Sequence, residues 1–318
     1  MKRLSNLKYN KSVRDFYNLT KEIYIKFKYY DTTYHKGDFC VIFNIDGRLK
    51  HGGLADRISG ILCCYAMCKI KEIPFYINFY SPFLLSDFLD TNLYNWKIDK
   101  DKISYNIIHT KVRIELGNYY WYKNFKISKQ THFYSNFKIL HLINKHYSCS
   151  YSYSQLYNEL FTPTQRILEI TNNLKNKIDN EYLSVCIRFQ SLLGDFKEKN
   201  FPILNNEEKN ILIIKCINKI LELRERYENL EILVTSDSYT FLNEISKYKH
   251  IHIISGKVVH MDYVADATDK TYEKSFVDFY MLGGGIKIIN ICGDKLRQSG
   301  FPELASLCFG KELEICNI

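Results

Sequence analysis

The sequence predicts an α/β protein with parallel sheets, and three observations support this. Its 318 residues are enough for two ordinary domains. Short apolar runs, which are strand candidates, alternate with longer helical patterns, and this alternation is typical of parallel α/β layers. In the second half, strand and helix candidates follow one another in regular succession. We therefore expect a Rossmann-like domain there and another domain before it.

The first half carries four strand candidates and one clear helix. The strands are predicted at 39–45, 73–79, 105–109 and 137–142. The helix is predicted at 54–69. The aromatic stretch 80–135 is interpreted as irregular. The polar helical stretch at 160–180 is the expected boundary, which gives a first domain, 1–165, with a basic N-terminal arm, and a second domain, 166–318.

The second half has a more regular pattern. Strands are predicted at 182–189, 230–236, 250–255 and 286–292. Helices are predicted at 206–227, 239–246 and 274–282, with a closing helix that begins near Pro302. The helix at 206–227 opens on an Asn/Glu turn and is amphipathic, as expected for a helix that covers one face of a sheet.

Composition narrows the class of protein. Hydrophobic residues make up 46% and charged residues 25% of the chain, as in soluble globular proteins. No apolar run approaches the roughly 18 residues of a membrane-spanning helix, and the N-terminus lacks the apolar core of a secretory signal. The ten cysteines include no C-x-x-C pair, so we expect reduced, buried thiols in a cytoplasmic protein.

The charge balance suggests an anionic partner. The net charge is +9, and residues 1–38 hold nine Lys and Arg against four Asp and Glu, an excess of five positive charges. Nucleic acid, an anionic membrane surface and a phosphorylated small molecule are the candidate partners. Nucleic acid is not expected, because the aromatic residues are scattered and no RNA-binding signature or zinc knuckle is present.

The carboxyl ends of the predicted strands carry the candidate binding residues, because ligands of parallel sheets bind there. Arg188 lies among apolar neighbours, and a buried arginine needs an anionic partner. The other candidates follow the strands at 182–189, 230–236 and 286–292: Asp195, Asp237, Ser238, Ser299, Gly300 and Phe301. Asp237, Ser238 and Ser299 also have a plain alternative, since each could cap the helix that follows.

The corner "HGGLADR", residues 51–57, is the corresponding site in the first half. Two glycines, a histidine and an Asp-Arg pair follow a strand candidate and open a helix. Arg57 flanks the apolar face of that helix, and Asp56 points away from it. A tight turn is the plain alternative for Gly52 and Gly53.

Several common sites are missing from the sequence. No G-x-G-x-x-G, Walker A or G-x-S-x-G motif occurs, which argues against nicotinamide, P-loop and α/β-hydrolase chemistry. The Asp-x-Asp at 99–101 lies in a lysine-rich loop. We therefore expect no metal site and no cofactor.

These residues resemble the fucosyltransferase superfamily, which includes α-1,2-, α-1,6- and protein O-fucosyltransferases and bacterial enzymes of capsule and lipopolysaccharide pathways. "CIRFQSLLGD" is similar to the family's H-x-R-x-G-D, with Cys186 in the histidine position and Gly194-Asp195 displaced. "VTSDS" matches its T-D or S-D strand end, and "SFVDFYML", with Asp278, matches its S-x-x-D-F helix. "QSGFPELAS" and "GGLADR" match its phosphate loop and its N-terminal glycine corner. Residues 80–160 have no match.

The resemblance implies a GT-B-like fold, in which two Rossmann-like domains face a cleft, and an inverting transfer without an essential metal. The C-terminal domain would hold the nucleotide sugar, GDP-fucose, and the N-terminal domain the acceptor. Arg188 would neutralise the diphosphate, Asp237 would face the base or ribose, and Ser299 and Gly300 would present N–H groups to phosphate.

If two domains face a cleft, we expect "HGGLADR" to close it opposite the donor domain. Gly52 and Gly53 would let the backbone approach the diphosphate, and Arg57 would add positive charge. Asp56, His51 and Asp195 are the candidates for the general base.

The expected partners are a nucleotide sugar and a glycan acceptor of surface polysaccharide synthesis, which could be lipid-linked. The basic N-terminus would then contact an anionic membrane from the cytoplasmic side. Two alternatives stay open: a non-catalytic nucleotide- or carbohydrate-binding protein on the same fold, and a transferase that uses another nucleotide sugar.

Overall fold

The computed structural model describes residues 11–32, 35–178, 181–195, 202–228, 230–256, 261–262 and 269–318. The chain divides into two units, Met1–Thr162 and Pro163–Ile318; the sequence analysis placed this division at 165/166. Among the described residues, no helix is both long and apolar enough to span a bilayer.

Unit 1 contains a four-stranded parallel sheet. The strands of this sheet are β1 (Val41–Ile45), β2 (Phe75–Phe79), β4 (Thr110–Ile114) and β5 (Gln130–Tyr134). Two short strands lie outside it: β3 (Leu89–Thr91), and β6 (Phe161–Pro163) at the unit boundary. The sheet order is β2-β1-β5-β4, and all its pairings are parallel. β3 pairs with β6 in a separate two-stranded sheet.

Two predicted strands of unit 1 are wrong. The strand predicted at 105–109 begins only at Thr110, and the segment predicted as a strand at 137–142 enters a helix at Leu140. The remaining strand of the sheet, β5, lies in the stretch interpreted as irregular. Its sequence, QTHFY, is fully buried although three of its five residues are polar, so hydrophobic patterning does not reveal it.

The helices of unit 1 are α1 (Lys11–Tyr29), α2 (Leu54–Ile70), α3 (Leu140–Tyr147) and α4 (Tyr153–Leu160). Short 3₁₀ turns occur at Leu85–Asp87, Lys100–Lys102 and Trp121–Asn124. α2 confirms the predicted helix at 54–69. α1, where the sequence analysis predicts only a basic arm, packs against β4.

Unit 2 contains a five-stranded parallel sheet. Its strands are β7 (Tyr182–Ile187), β8 (Glu231–Ser236), β9 (Ile251–Ile253), β10 (Lys287–Cys292) and β11 (Leu313–Asn317). Its helices are α5 (Gln165–Lys177), α6 (Asn206–Arg226), α7 (Tyr239–Ile245), α8 (Asp269–Gly284) and α9 (Gly300–Phe309). The strands and helices predicted after 180 are confirmed to within a few residues, and the edge strand β11 is additional.

The strand order of each sheet locates its ligand-binding edge. In unit 2 the order is β11-β10-β7-β8-β9, so the chain builds outward from β7 in one direction and then, from β10, in the other. This is the Rossmann order, and its switch point lies between β7 and β10. In unit 1 the corresponding switch point lies between β1 and β5. Ligands of open parallel sheets bind outside the carboxyl ends of the strands at such points.

Candidate functional site

Arg188 is the first residue after β7, beside the switch point of unit 2. Its side chain is 35% exposed, so the prediction that it is buried inside a strand is wrong: the strand ends one residue earlier, at Ile187. Its Nε lies 3.8 Å from Oδ2 of Asp237. The guanidinium is therefore held near a carboxylate while part of it remains open to solvent.

Asp237 follows β8 and holds the loop that carries Arg188. Its two carboxylate oxygens accept hydrogen bonds from the backbone N–H groups of Phe189 at 2.7 Å and Gln190 at 3.0 Å. Asp237 therefore does not cap the following helix. Burial raises its pKa to about 6, although these N–H groups and Arg188 oppose the shift.

Asp237 should make the stability of the protein depend on pH. Its folded-state pKa of about 6 lies above the ordinary 3.8, so folding takes up a proton as the pH falls through 6. The free energy of unfolding should therefore gain about 1 kcal/mol from this group between pH 7 and pH 5. Urea unfolding of Asp237→Asn at both pH values should lack this gain. An identical pH dependence in the variant and the parent protein would contradict the prediction.

Ser238 and Asp195 cap α7 together. The Ser238 hydroxyl accepts from the N–H of Phe241 at 3.1 Å and donates to Oδ2 of Asp195 at 2.5 Å. Oδ1 of Asp195 accepts from both the N–H and the hydroxyl of Thr240. The capping alternative thus holds for Ser238. The exposed Asp195 is brought to the same strand end as Arg188 and Asp237, but its carboxylate is engaged by the first turn of the helix.

Asp278, which the resemblance places among the donor-binding residues, is buried in an ion pair. Both carboxylate oxygens accept from Nζ of Lys274 at 2.8 Å on the same helix, α8. The two side chains are only 6% and 4% exposed. The carboxylate of Asp278 is therefore neutralised by a lysine of its own helix. Cys186, which the sequence analysis aligned with the histidine of the H-x-R-x-G-D motif, is also buried. Burial raises the pKa of its thiol to about 12.

The segment after β10 leads into the N-terminus of α9. Ser299 is the N-cap residue, and its hydroxyl accepts from the N–H of Phe301 at 3.3 Å. The Ser299 carbonyl accepts from Nδ2 of Asn290 at 3.0 Å, which ties the turn to β10. A Cβ atom on Gly300 would meet no atom within 4 Å. The first turn of α9 is therefore anchored to a strand that borders the switch point, and its backbone at Gly300 is accessible.

In unit 1 the structure turns His51 inward, away from solvent. His51 is 0% exposed, and its ring lies near Phe43 and Tyr134. Nδ1 lies 3.3 Å from the Ser135 carbonyl oxygen. Burial and the neighbouring Arg57 lower the pKa of His51 to about 3. A buried, neutral imidazole of this kind is poorly suited to act as the general base.

The side chains of Arg57 and Asp56 both form hydrogen bonds with backbone groups of unit 1. Arg57 is 2% exposed and donates to the carbonyl oxygens of Gly52 at 3.0 Å and Ser81 at 3.1 Å. The prediction that Arg57 presents free positive charge is therefore wrong. Asp56 is exposed, and its Oδ2 accepts from the N–H of Gly53 at 3.1 Å as part of a capping box.

Gly52 and Gly53 should respond differently to substitution. Gly52 has φ +89°, and a Cβ there would lie 2.3 Å from Oδ2 of Asp56, whereas a Cβ on Gly53 would meet nothing within 4 Å. Gly52→Ala should lower the free energy of unfolding by about 1–3 kcal/mol, and Gly53→Ala should change it by less than about 0.5 kcal/mol. Urea unfolding measures both. Equal effects would contradict a special role for Gly52.

Sequence reasoning missed a polar cluster at the switch point of unit 1. Asp46 directly follows β1 and accepts from the backbone N–H of Arg48 at 3.1 Å and from the hydroxyl of Tyr134, the last residue of β5, at 2.8 Å. The Arg48 guanidinium lies 4.5 Å from the ring centroid of Tyr29 and 4.9 Å from that of Tyr105. The available signal was the run Asp-Gly-Arg at the end of a buried strand.

The described residues contain no group of three or more His, Cys, Asp or Glu side chains arranged to hold a metal ion. The positive charge near the strand ends comes from side chains such as Arg188 and Arg48.

Solved structures share the fold of this chain. No protein-family model and no curated protein sequence matches it. A mutant of Arabidopsis thaliana FUT1 in complex with GDP superposes with a TM-score of 0.55 at 10% identity, over 91% of this chain and 72% of that one. NodZ α-1,6-fucosyltransferase soaked with GDP-fucose gives 0.51 at 7% identity, over 86% and 93%. Fucosyltransferase NodZ from Bradyrhizobium gives 0.50 at 8% identity, over 86% and 94%.

These identities are low, so the comparison concerns the fold. It confirms the predicted α/β class with parallel sheets, and the fold is a GT-B-like fold of the fucosyltransferase type.

Proposed function

We propose that this protein is an inverting glycosyltransferase that transfers fucose from GDP-fucose to a glycan acceptor. The observation that carries the proposal is Arg188, a partly exposed guanidinium at the switch point of unit 2 whose loop is fixed by Asp237. The fold supports the donor class, because compared fucosyltransferases were solved with GDP or GDP-fucose. The donor-binding roles of Asp237, Ser299, Gly300 and Phe301 belong to the same proposal.

The chemistry requires positive charge where the leaving group forms. The acceptor hydroxyl oxygen bonds to C1 of fucose as the bond from C1 to the β-phosphate oxygen breaks, so GDP leaves with an added negative charge. The Arg188 fork can donate to two phosphate oxygens, and the N-terminus of α9 adds its helix dipole. We propose that these groups replace a divalent ion, so that activity survives EDTA.

The general base takes the proton of the acceptor hydroxyl. Asp56 and Asp195 are the exposed candidates, whereas His51 is buried. Comparing kcat in Asp56→Asn and Asp195→Asn, with donor affinity as the control, assigns the role. The base is the one whose loss lowers kcat while GDP-fucose still binds.

Calorimetric titration with GDP-fucose, GDP-mannose, UDP-glucose and GDP tests the donor, followed by an assay for release of GDP. We expect GDP and GDP-fucose to bind and UDP-glucose not to bind. GDP-fucose binding without slow hydrolysis or transfer would favour the non-catalytic alternative. Binding of another nucleotide sugar instead would overturn the donor assignment.

We further propose that the enzyme works in the cytoplasm on a membrane-associated acceptor of surface polysaccharide synthesis. The ten cysteines are free thiols, as expected in a reducing compartment. α1 supplies a surface for membrane contact. Four apolar side chains, three or four residues apart, form an exposed stripe: Phe16 (68% exposed), Leu19 (51%), Ile23 (47%) and Phe27 (77%). Ile25, on the opposite side of the helix, is buried.

Charge complementarity favours an anionic lipid surface as the partner of this stripe. Lys21 lies 4.3 Å from the ring centroid of Tyr17, and Lys28 lies 5.3 Å from that of Tyr24. An amphipathic helix with lysines and aromatic rings beside an apolar face is suited to lie in the headgroup region of a bilayer.

Replacing two aromatic side chains of the stripe should weaken vesicle binding. Phe16→Ser/Phe27→Ser should lower binding to vesicles with anionic phospholipid by at least about tenfold, because two aromatic rings that enter the bilayer contribute several kcal/mol of binding free energy. The control is Ile211→Ser/Ile214→Ser, which removes two half-exposed apolar side chains (50% and 56%) from α6. Cosedimentation measures both. Unchanged binding of the α1 variant would contradict the membrane proposal, and concentration-dependent dimers lost only in that variant would indicate a second copy as the partner.

A further inference from the structure

A cavity in unit 1 lies between α1 and the loop that follows β1. Its volume is about 330 Å³, which is within the size range of small-ligand sites. Its described lining comprises Lys21, Tyr24, Ile25, Arg48, Leu49 and Lys50. Three of these side chains are cationic and none is acidic. A cavity with this lining is suited to an anionic ligand.

The position of the cavity is that of a binding site in a parallel sheet. The loop 46–50 leaves the carboxyl end of β1, and β1 borders β5 at the switch point of unit 1. The hydroxyl of Tyr134, the last residue of β5, reaches the same loop through its hydrogen bond to Asp46. The other wall comes from α1, so the cavity exists because the N-terminal segment folds as a helix.

Arg48 is held in place before any ligand arrives. Its side chain is 13% exposed, and its Nε lies 3.4 Å from Oδ2 of Asp46. The rings of Tyr29 and Tyr105 flank the guanidinium. Among the residues that the structure describes, its buried Nη1 has no hydrogen-bond partner. A fixed guanidinium loses little conformational entropy when it binds an oxyanion.

The groups that line the cavity carry more positive than negative charge. Asp46 offsets the charge of Arg48, but Lys21 and Lys50 lie on the two walls. Lys21 is half-buried, and Lys50 is exposed. Tyr24 adds an aromatic surface on which the apolar face of a sugar ring can pack.

We propose that this cavity binds an anionic group, a phosphate or a carboxylate, carried by the sugar acceptor. The inference rests on the proposed transferase function and deepens it by naming the acceptor class: a phosphorylated or uronic-acid-containing glycan. The loop and the helix provide the site, and Arg48, Lys21 and Lys50 contact the anionic group.

Calorimetric or NMR titration with glucose 1-phosphate, glucuronic acid, glucose and inorganic phosphate tests the proposal directly. At least one anionic sugar should bind, and glucose should bind at least tenfold more weakly. Whichever of glucose 1-phosphate and glucuronic acid binds more tightly identifies the anionic group as a phosphate or a carboxylate. Binding of inorganic phosphate as tightly as either anionic sugar would overturn the assignment to an acceptor.

Charge-neutral variants locate the binding. Lys21→Gln/Lys50→Gln should weaken the anionic sugar at least tenfold, whereas the control Lys247→Gln/Lys249→Gln on the exposed surface of unit 2 should not. Equal affinity in both variants, or no anionic sugar bound by the parent protein, would overturn the proposal. The proposal would also be overturned if no soluble sugar bound and Lys21→Gln/Lys50→Gln lost its binding to anionic vesicles. The ligand of the cavity would then be a lipid headgroup.

GDP titrations keep this result separate from the proposed function. Both lysine variants should bind GDP like the parent protein. Failure of GDP or GDP-fucose to bind would remove the transferase assignment, while the affinity of the cavity for anionic sugars would still be measured independently.

Discussion

Arg188→Ala should lower kcat/KM for GDP-fucose by about 10²–10³-fold and leave the midpoint of thermal unfolding almost unchanged. The loss follows because the guanidinium lies beside the switch point of unit 2, where it would stabilise the charge that develops on the departing GDP. The fold should survive because the side chain is 35% exposed and its contact with Asp237 is a long one, 3.8 Å. Donor hydrolysis and calorimetry with GDP measure the two quantities.

Arg188→Lys separates charge from geometry. A lysine keeps the positive charge but cannot donate in a fork to two phosphate oxygens, so we expect only partial recovery. Arg166→Ala is the control, because Arg166 is a 60% exposed arginine of the same unit that pairs with Glu273. A kcat/KM close to that of the parent protein in Arg188→Ala would remove Arg188 from the catalytic site.

Lys274→Met should have the largest effect on stability, a loss of about 3–5 kcal/mol in the free energy of unfolding. It would leave the Asp278 carboxylate buried without its bidentate partner, and burial already raises the pKa of that carboxyl. Lys274→Met/Asp278→Leu should recover most of the loss, because a pair of apolar side chains has no charge to desolvate. Urea unfolding at pH 7 measures both variants.

An ion pair on the surface of unit 2 provides the comparison for the buried Lys274–Asp278 pair. Lys247 and Glu244 form an ion pair with side chains 64% and 45% exposed, so Lys247→Met should cost less than about 1 kcal/mol. If Lys274→Met and Lys247→Met lowered the free energy of unfolding by similar amounts, the burial of the Lys274–Asp278 pair would be contradicted. GDP titration of the double variant also tests the sequence-based role of Asp278: loss of GDP affinity with stability retained would return this residue to the donor site.

The sequence by itself determined the second unit. β7, β8 and β10 are fully or almost fully buried and mostly apolar, and amphipathic helices separate them. The spacing of apolar residues in the sequence therefore predicts both the type of each element and the face that it buries. Arg188 and Asp237 could be identified for the same reason, since each is the first polar residue after such a strand.

The first unit needed the tertiary structure. β5 is buried although it is polar, and hydrogen bonds from distant segments satisfy the side chains of Gln130 and His132. Gln130 accepts from the N–H of Ser104 and donates to the Lys102 carbonyl, and His132 contacts the Tyr30 hydroxyl. Such partners are separated by 26 or more residues, so no local pattern predicts them.

The direction of individual side chains was likewise decided by packing. The motif "HGGLADR" was recognisable, but the structure buries His51 and Arg57 within unit 1 and leaves Arg48, three residues before His51, beside a cavity. A helical wheel shows which side of α2 a residue occupies; it does not show which backbone carbonyls lie opposite. Those carbonyls, at Gly52 and Ser81, bind the Arg57 guanidinium, because a buried charge must be hydrogen-bonded wherever the fold provides acceptors.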